Sequence, residues 1–331
     1  VQIGPNNINK GWDWCSGYHY SDSIVIGFSH LHLNGTGCSD TGDILFMPYI
    51  GNARTQPGTQ QDPLSGYASL YSKDNEQALP GYYEVLLKTH NTKVELTASD
   101  RVAFHRYTFP KDAEKHVMIN LKDANGDDRP TNTYLEQMND TVIRGYRHST
   151  GWSKKQQIYF TAVFSQPIHL ALYHDSVQVA GNHLQGLDVK GNVSIVSTKE
   201  ELCVKVGISP VSMDNAMGNI QQEIKNWDFE KIVEETTKKW NTELSKLQVE
   251  TNNVAAKRVF YSALYHAFMQ PIMFNDYNKE YRGTDKSIYG DPEFTNYTVF
   301  SLWDTYRAAH PLYTLVQPER VPDFVNSMLA I

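Results

Sequence analysis

Between Gly11 and Asp43 the chain gathers Trp12, Trp14, Tyr18 and Tyr20 with His19, His30 and His32, among Gly17, Gly35, Gly37 and Gly42. Indole and phenol rings offer a flat apolar face and a polar edge. A sugar offers the matching surfaces, C–H faces and hydroxyl rims. Glycines let a backbone approach a ligand closely or take a positive φ. His30 and His32 are two residues apart and share a face if the segment is a strand. They read equally well as satisfied core histidines beside a bulged strand. As a metal pair they lack a third ligand at an obvious spacing.

A second segment, Phe300–Arg307 (FSLWDTYR), sets Trp303 and Arg307 at i and i+4, with Asp304 beside the tryptophan. Asp304 and Arg307 could form a plain structural ion pair. In a sugar pocket the same aspartate would accept two hydroxyl hydrogens while the arginine keeps it charged and oriented. A third segment, Tyr281-Arg282-Gly283-Thr284-Asp285, reads as a polar loop between helices. No GxSxG elbow, P-loop, HExxH or strand-borne GxGxxG occurs.

The chain's 331 residues suggest two domains. A net charge of −7 argues against a nucleic-acid surface and against attachment to anionic lipid. No apolar run approaches the ~20 residues of a membrane span. Cys15, Cys38 and Cys203 are an odd number and show no zinc spacing. A Cys15–Cys38 bridge and two buried thiols both remain open.

From residue 20 to about 210 the pattern is strand-like. Runs such as Ser23–Phe28, Tyr82–Leu87, Ala103–Phe109, Ile158–Phe164 and Leu202–Ile208 are rich in β-branched and aromatic residues. Turn formers separate such runs, including Ala180-Gly181-Asn182 and Lys190-Gly191-Asn192, and 49–80 reads as a long surface loop. Many short strands without intervening helices indicate a large antiparallel sandwich. After Ser209-Pro210 the apolar period becomes helical. Asp228 is placed to cap a helix carrying Phe229, Ile232, Val233, Trp240 and Leu244, and Asn253 to open a third. We expect a β-sandwich over 1–210, a helical linker over 211–252 and the start of a helical domain over 253–331. The stripe Val321, Phe324, Val325, Met328, Leu329 runs to Ile331 without a glycine cap, basic last turn or proline stop. That pattern reads as a helix cut short, and the chain as a fragment.

At these segments the sequence resembles glycoside hydrolase family 92, the calcium-dependent α-mannosidases. GWDWCSGYHYSDSIVIGFSHLHLNGTGCSDTGDILFMP is similar to the family's N-terminal signature, and YRGTD and VFSLWDTYRAAHPL to signatures from the start of its catalytic domain. ISPVSMDNAMGNIQQEI resembles its connector. The resemblance implies an N-terminal antiparallel β-sandwich followed by the beginning of an (α/α)6 barrel. It implies hydrolysis of terminal α-linked mannose, of α-1,2/1,3 type, by inversion. It implies mannose-containing glycans as partners and a secreted, periplasmic or cell-surface location. Trp303 and Asp304 would hold the mannose with Arg307 in support, and Gly37, Cys38 and Ser39 would approach it from the sandwich. Trp14 comes first for the leaving-group subsite and Trp12 second. The general acid, the base and most calcium ligands would lie beyond Ile331, so no catalytic residue or metal ligand is assigned within the chain. The competing readings are a non-catalytic carbohydrate-binding protein and a related sandwich-plus-barrel glycosidase or phosphorylase.

Overall fold

Alternation of side chains along the strands sets the architecture. In Val142–Thr150 the residues Ile143, Gly145, Arg147 and Ser149 are buried, and the intervening ones are half-buried. Such a strand has one face for a core and one for another layer or solvent. A computed structural model describes residues 1–9, 11–33, 41–123 and 128–330.

Two antiparallel sheets carry residues 4–209. The larger has nine strands, in the order His183–Gly186, Arg129–Asn139, Val142–Thr150, Gln156–Phe164, Glu201–Ser209, Val102–Thr108, Thr92–Ala98, Tyr82–Leu87 and Glu76–Leu79. The smaller has seven, in the order Gly4–Asn6, Gly27–Ser29, Leu45–Ile50, Lys115–Asn120, Val189–Ile195, Ile168–His174 and Val177–Val179. One apolar core joins them. Phe46, Ile119 and Val193 of the smaller sheet share it with Leu135, Phe160 and Val206 of the larger. Phe46 meets Phe160 edge to face across the layers at 6.3 Å. Each such side chain, fully buried, contributes about 1.5–3 kcal/mol.

Several local expectations change. Lys190-Gly191-Asn192 is not a turn but part of strand Val189–Ile195. The glycine is there for space: a Cβ at 191 would lie 2.4 Å from Leu135 Cδ2 and 2.7 Å from Leu170 Cδ1. Ser23–Phe28 divides between two sheets. Ile24–Val25 pairs with Ser69–Leu70, while Gly27 faces Asn6 in the smaller sheet. The stretch 49–80 is not all loop, since it contributes the edge strand Glu76–Leu79. Arg129–Asn139 was not anticipated, because RPTNTYLEQMN has only two residues, Thr133 and Leu135, on the buried face.

After Ser209 come α1 (Met213–Glu223), α2 (Phe229–Leu244) and α3 (Val254–Ala267). Their caps are Ser212, Asp228 and Asn253, whose side chains accept Asn215 N–H at 3.0 Å, Lys231 N–H at 3.1 Å and Ala256 N–H at 3.0 Å. α2 lays Phe229 and Ile232 on Phe104 and Cys203 of the larger sheet. Burial there pushes the Cys203 thiol up to about 12. The short hairpin Tyr281–Arg282/Ile288–Tyr289 follows, then α4 (Leu302–Thr305), α5 (Ala309–Val316) and α6 (Val321–Leu329). The described residues contain no closed helical barrel. None of their helices is long and apolar enough to cross a membrane.

A polar chain crosses the sandwich core. His30 and His105 are wholly buried and meet Nε2 to Nε2 at 3.0 Å. His30 Nδ1 lies 2.6 Å from the Ile44 carbonyl, so it carries the proton. His30 Nε2 then accepts from His105, and His105 Nδ1 accepts the Tyr107 hydroxyl at 2.7 Å. Both rings are neutral. Burial drives His30 down to about 3 and His105 well below the ordinary histidine range. A folded-state pKa below the unfolded value of about 6.5 gives stability that is whole above pH 6.5. It is lost as the pH falls toward about 3, at about 1.4 kcal/mol per pH unit per histidine. Urea midpoints at pH 7 and pH 4.5 should therefore differ sharply, with the acidic one lower. Equal midpoints would show that the pair protonates in the folded protein.

Candidate functional site

A cleft of about 790 Å³ separates the sandwich from the helical segment. Trp12, Leu31, Leu33, Thr41, Trp152, Lys155 and Gln156–Ile158 line its sandwich side; Tyr281–Thr284, Lys286, Asn296–Ser301 and Asp304 line the other.

Trp12 reaches the cleft from a loop organised by Asp22, which is 6% exposed. One Asp22 oxygen accepts the Trp14 indole N–H at 2.8 Å; the other accepts Asn7 Nδ2 at 2.5 Å and His19 N–H at 2.8 Å. His32 Nδ1 holds the same loop at the Ser16 carbonyl, 2.8 Å away. Gly17, at φ 90°, passes directly over that ring, where a Cβ would stand 3.1 Å from His32 Cε1. On the outer side Lys73 Nζ sits over the rings of Tyr18 and Tyr71 at 4.4 and 4.7 Å and pairs with Glu76 at 2.9 Å.

Beneath the sandwich wall lies a wholly buried ion triad. Arg147 reaches Asp43 at 2.5 Å and Asp128 at 2.7 Å. The cleft residue Gln156 donates its Nε2 hydrogen to Asp43. The polar floor of the cleft is thus tied to a charge cluster that cannot move without exposing a buried carboxylate.

The opposite wall is held by Asp276. Its carboxylate is buried and accepts hydrogen bonds from Ser209 Oγ at 2.6 Å, Asn215 Nδ2 at 2.9 Å and Asn219 Nδ2 at 2.8 Å. Burial raises its pKa even though these donors favour the charged form. Arg282 spreads its guanidinium over the carbonyls of Pro210, Val211 and Lys286 at 2.8, 3.2 and 2.8 Å. The end of the last sandwich strand, α1 and the Tyr281–Tyr289 hairpin are locked as one unit.

The structure sorts the residues singled out in the sequence. Asp304 lines the cleft, with Ser301 Oγ donating to its carboxylate. Trp303 is 89% exposed and does not line it. Arg307 gives its Nε hydrogen to the Tyr306 hydroxyl, and no ion pair joins it to Asp304. Arg307 lies in the turn beyond α4, which ends at Thr305, with its guanidinium over the Tyr306 ring at 5.1 Å. Trp12 is on the cleft, while the Trp14 ring packs against His19 at 5.4 Å and its N–H is given to Asp22. Gly37, Cys38 and Ser39 lie outside the described residues, and so does any Cys15–Cys38 bridge. Leu33 and Thr41, on either side of that segment, both line the cleft. His30 and His32 do not act as a pair, since the first serves the core and the second the loop. No group of three or more His, Cys, Asp or Glu among the described residues could hold a metal ion. Trp152, Lys155, Gln156, Gln157, Lys286 and Asn296 escaped the sequence reading. An isolated tryptophan in the polar run Gly151–Gln157 was the available signal.

Residues 1–209 match the glycosyl hydrolase family 92 N-terminal domain, and residues 215–331 match the family's catalytic domain. The chain belongs to glycoside hydrolase family 92. It is similar to a family GH92 α-mannosidase of Bacteroides thetaiotaomicron, with 37% identity and a TM-score of 0.95 over 99% of this chain and 45% of that one. The same mannosidase has been solved in complex with mannoimidazole. A GH92 inverting mannosidase from that organism shares the fold at 23% identity and a TM-score of 0.85, over 98% of this chain and 43% of that one. An uncharacterized secreted glycosidase of Arthroderma benhamiae is 23% identical over 330 residues, 88% of this chain and 40% of the relative. The chain therefore spans less than half the length of these family 92 relatives.

Replacing Asp276 by alanine leaves Ser209, Asn215 and Asn219 without their acceptor. It should cost about 3 kcal/mol, at about 1 kcal/mol per hydrogen bond. Thermal unfolding of Asp276→Ala beside wild type measures it. A midpoint within 1 °C of wild type (roughly 0.3 kcal/mol or less) would remove Asp276 from this role.

Proposed function

We propose that this chain supplies the sandwich wall and part of the sugar pocket of a secreted α-mannosidase that removes terminal α-linked mannose, of α-1,2/1,3 type, from glycans. The observation that carries the reading is the cleft between the two family 92 regions, with Asp304 as its one lining carboxylate among the described residues. The 37% identity to an α-mannosidase over 99% of the chain supports it. So does the lining itself, an exposed indole at Trp12 and polar groups at Gln156, Gln157, Thr284 and Asn296.

Asp304 is suited to holding sugar. A carboxylate is acceptor-only and can take two hydroxyl hydrogens from neighbouring positions of a pyranose. Ser301 fixes one of its oxygens from below. Trp12 offers an apolar face to a further residue of the glycan.

Inversion is part of the proposal. It needs a general acid on the leaving oxygen and a base for water, roughly 6.5–9.5 Å apart. A single lining carboxylate cannot fill both roles, and we assign neither to residues 1–331. Calcium is part of it as well. That ion takes 6–8 oxygen ligands, and the described residues hold no group of three or more His, Cys, Asp or Glu to anchor it.

With the natural full-length protein, Asp304→Ala should lower mannose release from an α-mannoside by at least about 100-fold, as expected when a charged acceptor leaves two sugar hydroxyls unpaired. Wild-type kcat/KM in the variant would take Asp304 out of the pocket. Mannose release should also stop in excess EDTA and return with calcium. Release that persists in chelator would remove calcium from the mechanism, and no release from any α-mannoside would overturn the reading.

A further inference from the structure

The outer face of the larger sheet carries a neutral, aromatic stretch that begins at the cleft and leads away from it. Strand pairing sets two rows of side chains there. In one row Gln185, Tyr134, Tyr146 and Tyr159 stand opposite one another on successive strands. In the next row Asn132, His148 and Gln157 do the same. This face lies away from the core, because the alternating residues Thr133, Leu135, Arg147 and Ile158 are the buried ones.

The rings support one another. Tyr146 stacks on His148 at 4.5 Å and on Tyr134 at 5.5 Å, and Tyr134 leans on His183 at 6.2 Å. Asn132 Nδ2 donates to the Tyr146 hydroxyl at 3.2 Å, and Gln185 Nε2 to Asn132 Oδ1 at 3.2 Å. The Tyr146 hydroxyl, an acceptor in that bond, keeps its own hydrogen to donate. Helix α1 lies over Gln156–Phe164 and Glu201–Ser209, whereas His183 and Gln185 at the far edge are exposed. At the near end Gln157 lines the cleft, as does Trp152, just past the end of Val142–Thr150 and 75% exposed. The stretch is therefore continuous with the cleft.

Its chemistry selects a ligand. No residue of the two rows carries a fixed charge, in a chain where 20% do. The Glu136–Arg144 ion pair, at 2.9 Å, comes only in the row beyond. A nucleic acid would need cations. A stable protein interface would need a fully apolar centre, and no Leu, Ile, Val, Phe or Met stands in these rows. Rings flanked by amides and hydroxyls, which both donate and accept, match the C–H faces and hydroxyls of neutral sugars. Cross-strand aromatic pairs also steady a sheet, but that gain requires neither amides at the ring edges nor a path to the cleft.

We propose that this track, from Trp152 and Gln157 at the cleft to His183 at the sheet edge, holds the part of the glycan that extends beyond the mannose being removed. The proposal rests on the mannosidase reading and adds that the sandwich reads the size of the substrate. At about 3.3 Å per residue along a strand, Trp152 to Tyr146 spans about 20 Å, and two further strands at about 4.8 Å each add about 10 Å. That is room for several sugar residues.

Initial rates of the natural full-length protein on a branched oligomannose glycan and on an aryl α-mannoside test this. Tyr134→Ala should raise KM for the glycan at least about fivefold, the worth of one net hydrogen bond. Its kcat should not change, because contacts remote from the scissile bond are made equally in the ground and transition states. Both constants for the aryl mannoside should stay at wild type. The double variant His183→Ala, Gln185→Ala alters only exposed side chains and should also raise KM for the glycan, without moving the thermal midpoint. Glycan KM values equal to wild type in both variants overturn the proposal. So does an equal rise on both substrates, which would mark a structural effect on the cleft. If neither substrate releases mannose, the mannosidase reading fails by itself. Titration of the glycan into wild type and variants then reads the same comparison as affinity, and equal affinities overturn the proposal.

Discussion

The cleft depends on one buried carboxylate. Asp276 accepts hydrogen bonds from the end of the last sandwich strand and from two asparagines one turn apart on α1. The Tyr277 amide then donates to Asn219 at 2.8 Å, closing the cluster on itself. Burying a charge this way is costly without donors around it, and here three donors arrive from two different elements. The cost makes the arrangement discriminating: any displacement of the hairpin relative to the sandwich would strand the carboxylate. The Arg282 guanidinium repeats the logic with opposite sign, satisfying carbonyls at the end of the sandwich from the cleft side.

The sandwich gives those groups something rigid to hold. Its two sheets share an apolar core, but polar side chains run through it at chosen points. The His30–His105–Tyr107 chain joins the sheets by hydrogen bonds that require neutral rings. The Arg147 triad joins Val142–Thr150 to the residues before Leu45–Ile50 and supports Gln156 at the cleft. Apolar packing tolerates small slides, whereas directional bonds between buried polar groups do not. The positions of Gln156 and Arg282, on facing walls, therefore follow from buried polar contacts more than from the hydrophobic core.

The cleft lining combines an aromatic rim, amides, one carboxylate and three cations. The cations come from loops, Gly151–Gln157 and the Tyr281–Tyr289 hairpin, that the fold brings together from positions over a hundred residues apart. Within family 92 such loops are where one member can differ from another without disturbing the sandwich.

The sequence by itself determined the classes of element and where they change. Period-2 runs and β-branched residues gave the sandwich, and capping residues at 228 and 253 set the starts of two helices, because both signals act within a few residues along the chain. Motif lengths in Gly11–Asp43 and Phe300–Arg307 gave the family. Only the tertiary structure decided which of those residues reach the cleft. Trp12 and Trp14 are two apart and chemically alike, and their difference is that Asp22, drawn in by Asn7 and His19, takes the indole of one. Asp304 and Arg307 looked like partners, but the helix ends at Thr305, before Arg307, and Ser301 and Tyr306 take their places. The aromatic track was invisible too, because Tyr134, Tyr146 and Tyr159 are neighbours only after the strands have paired.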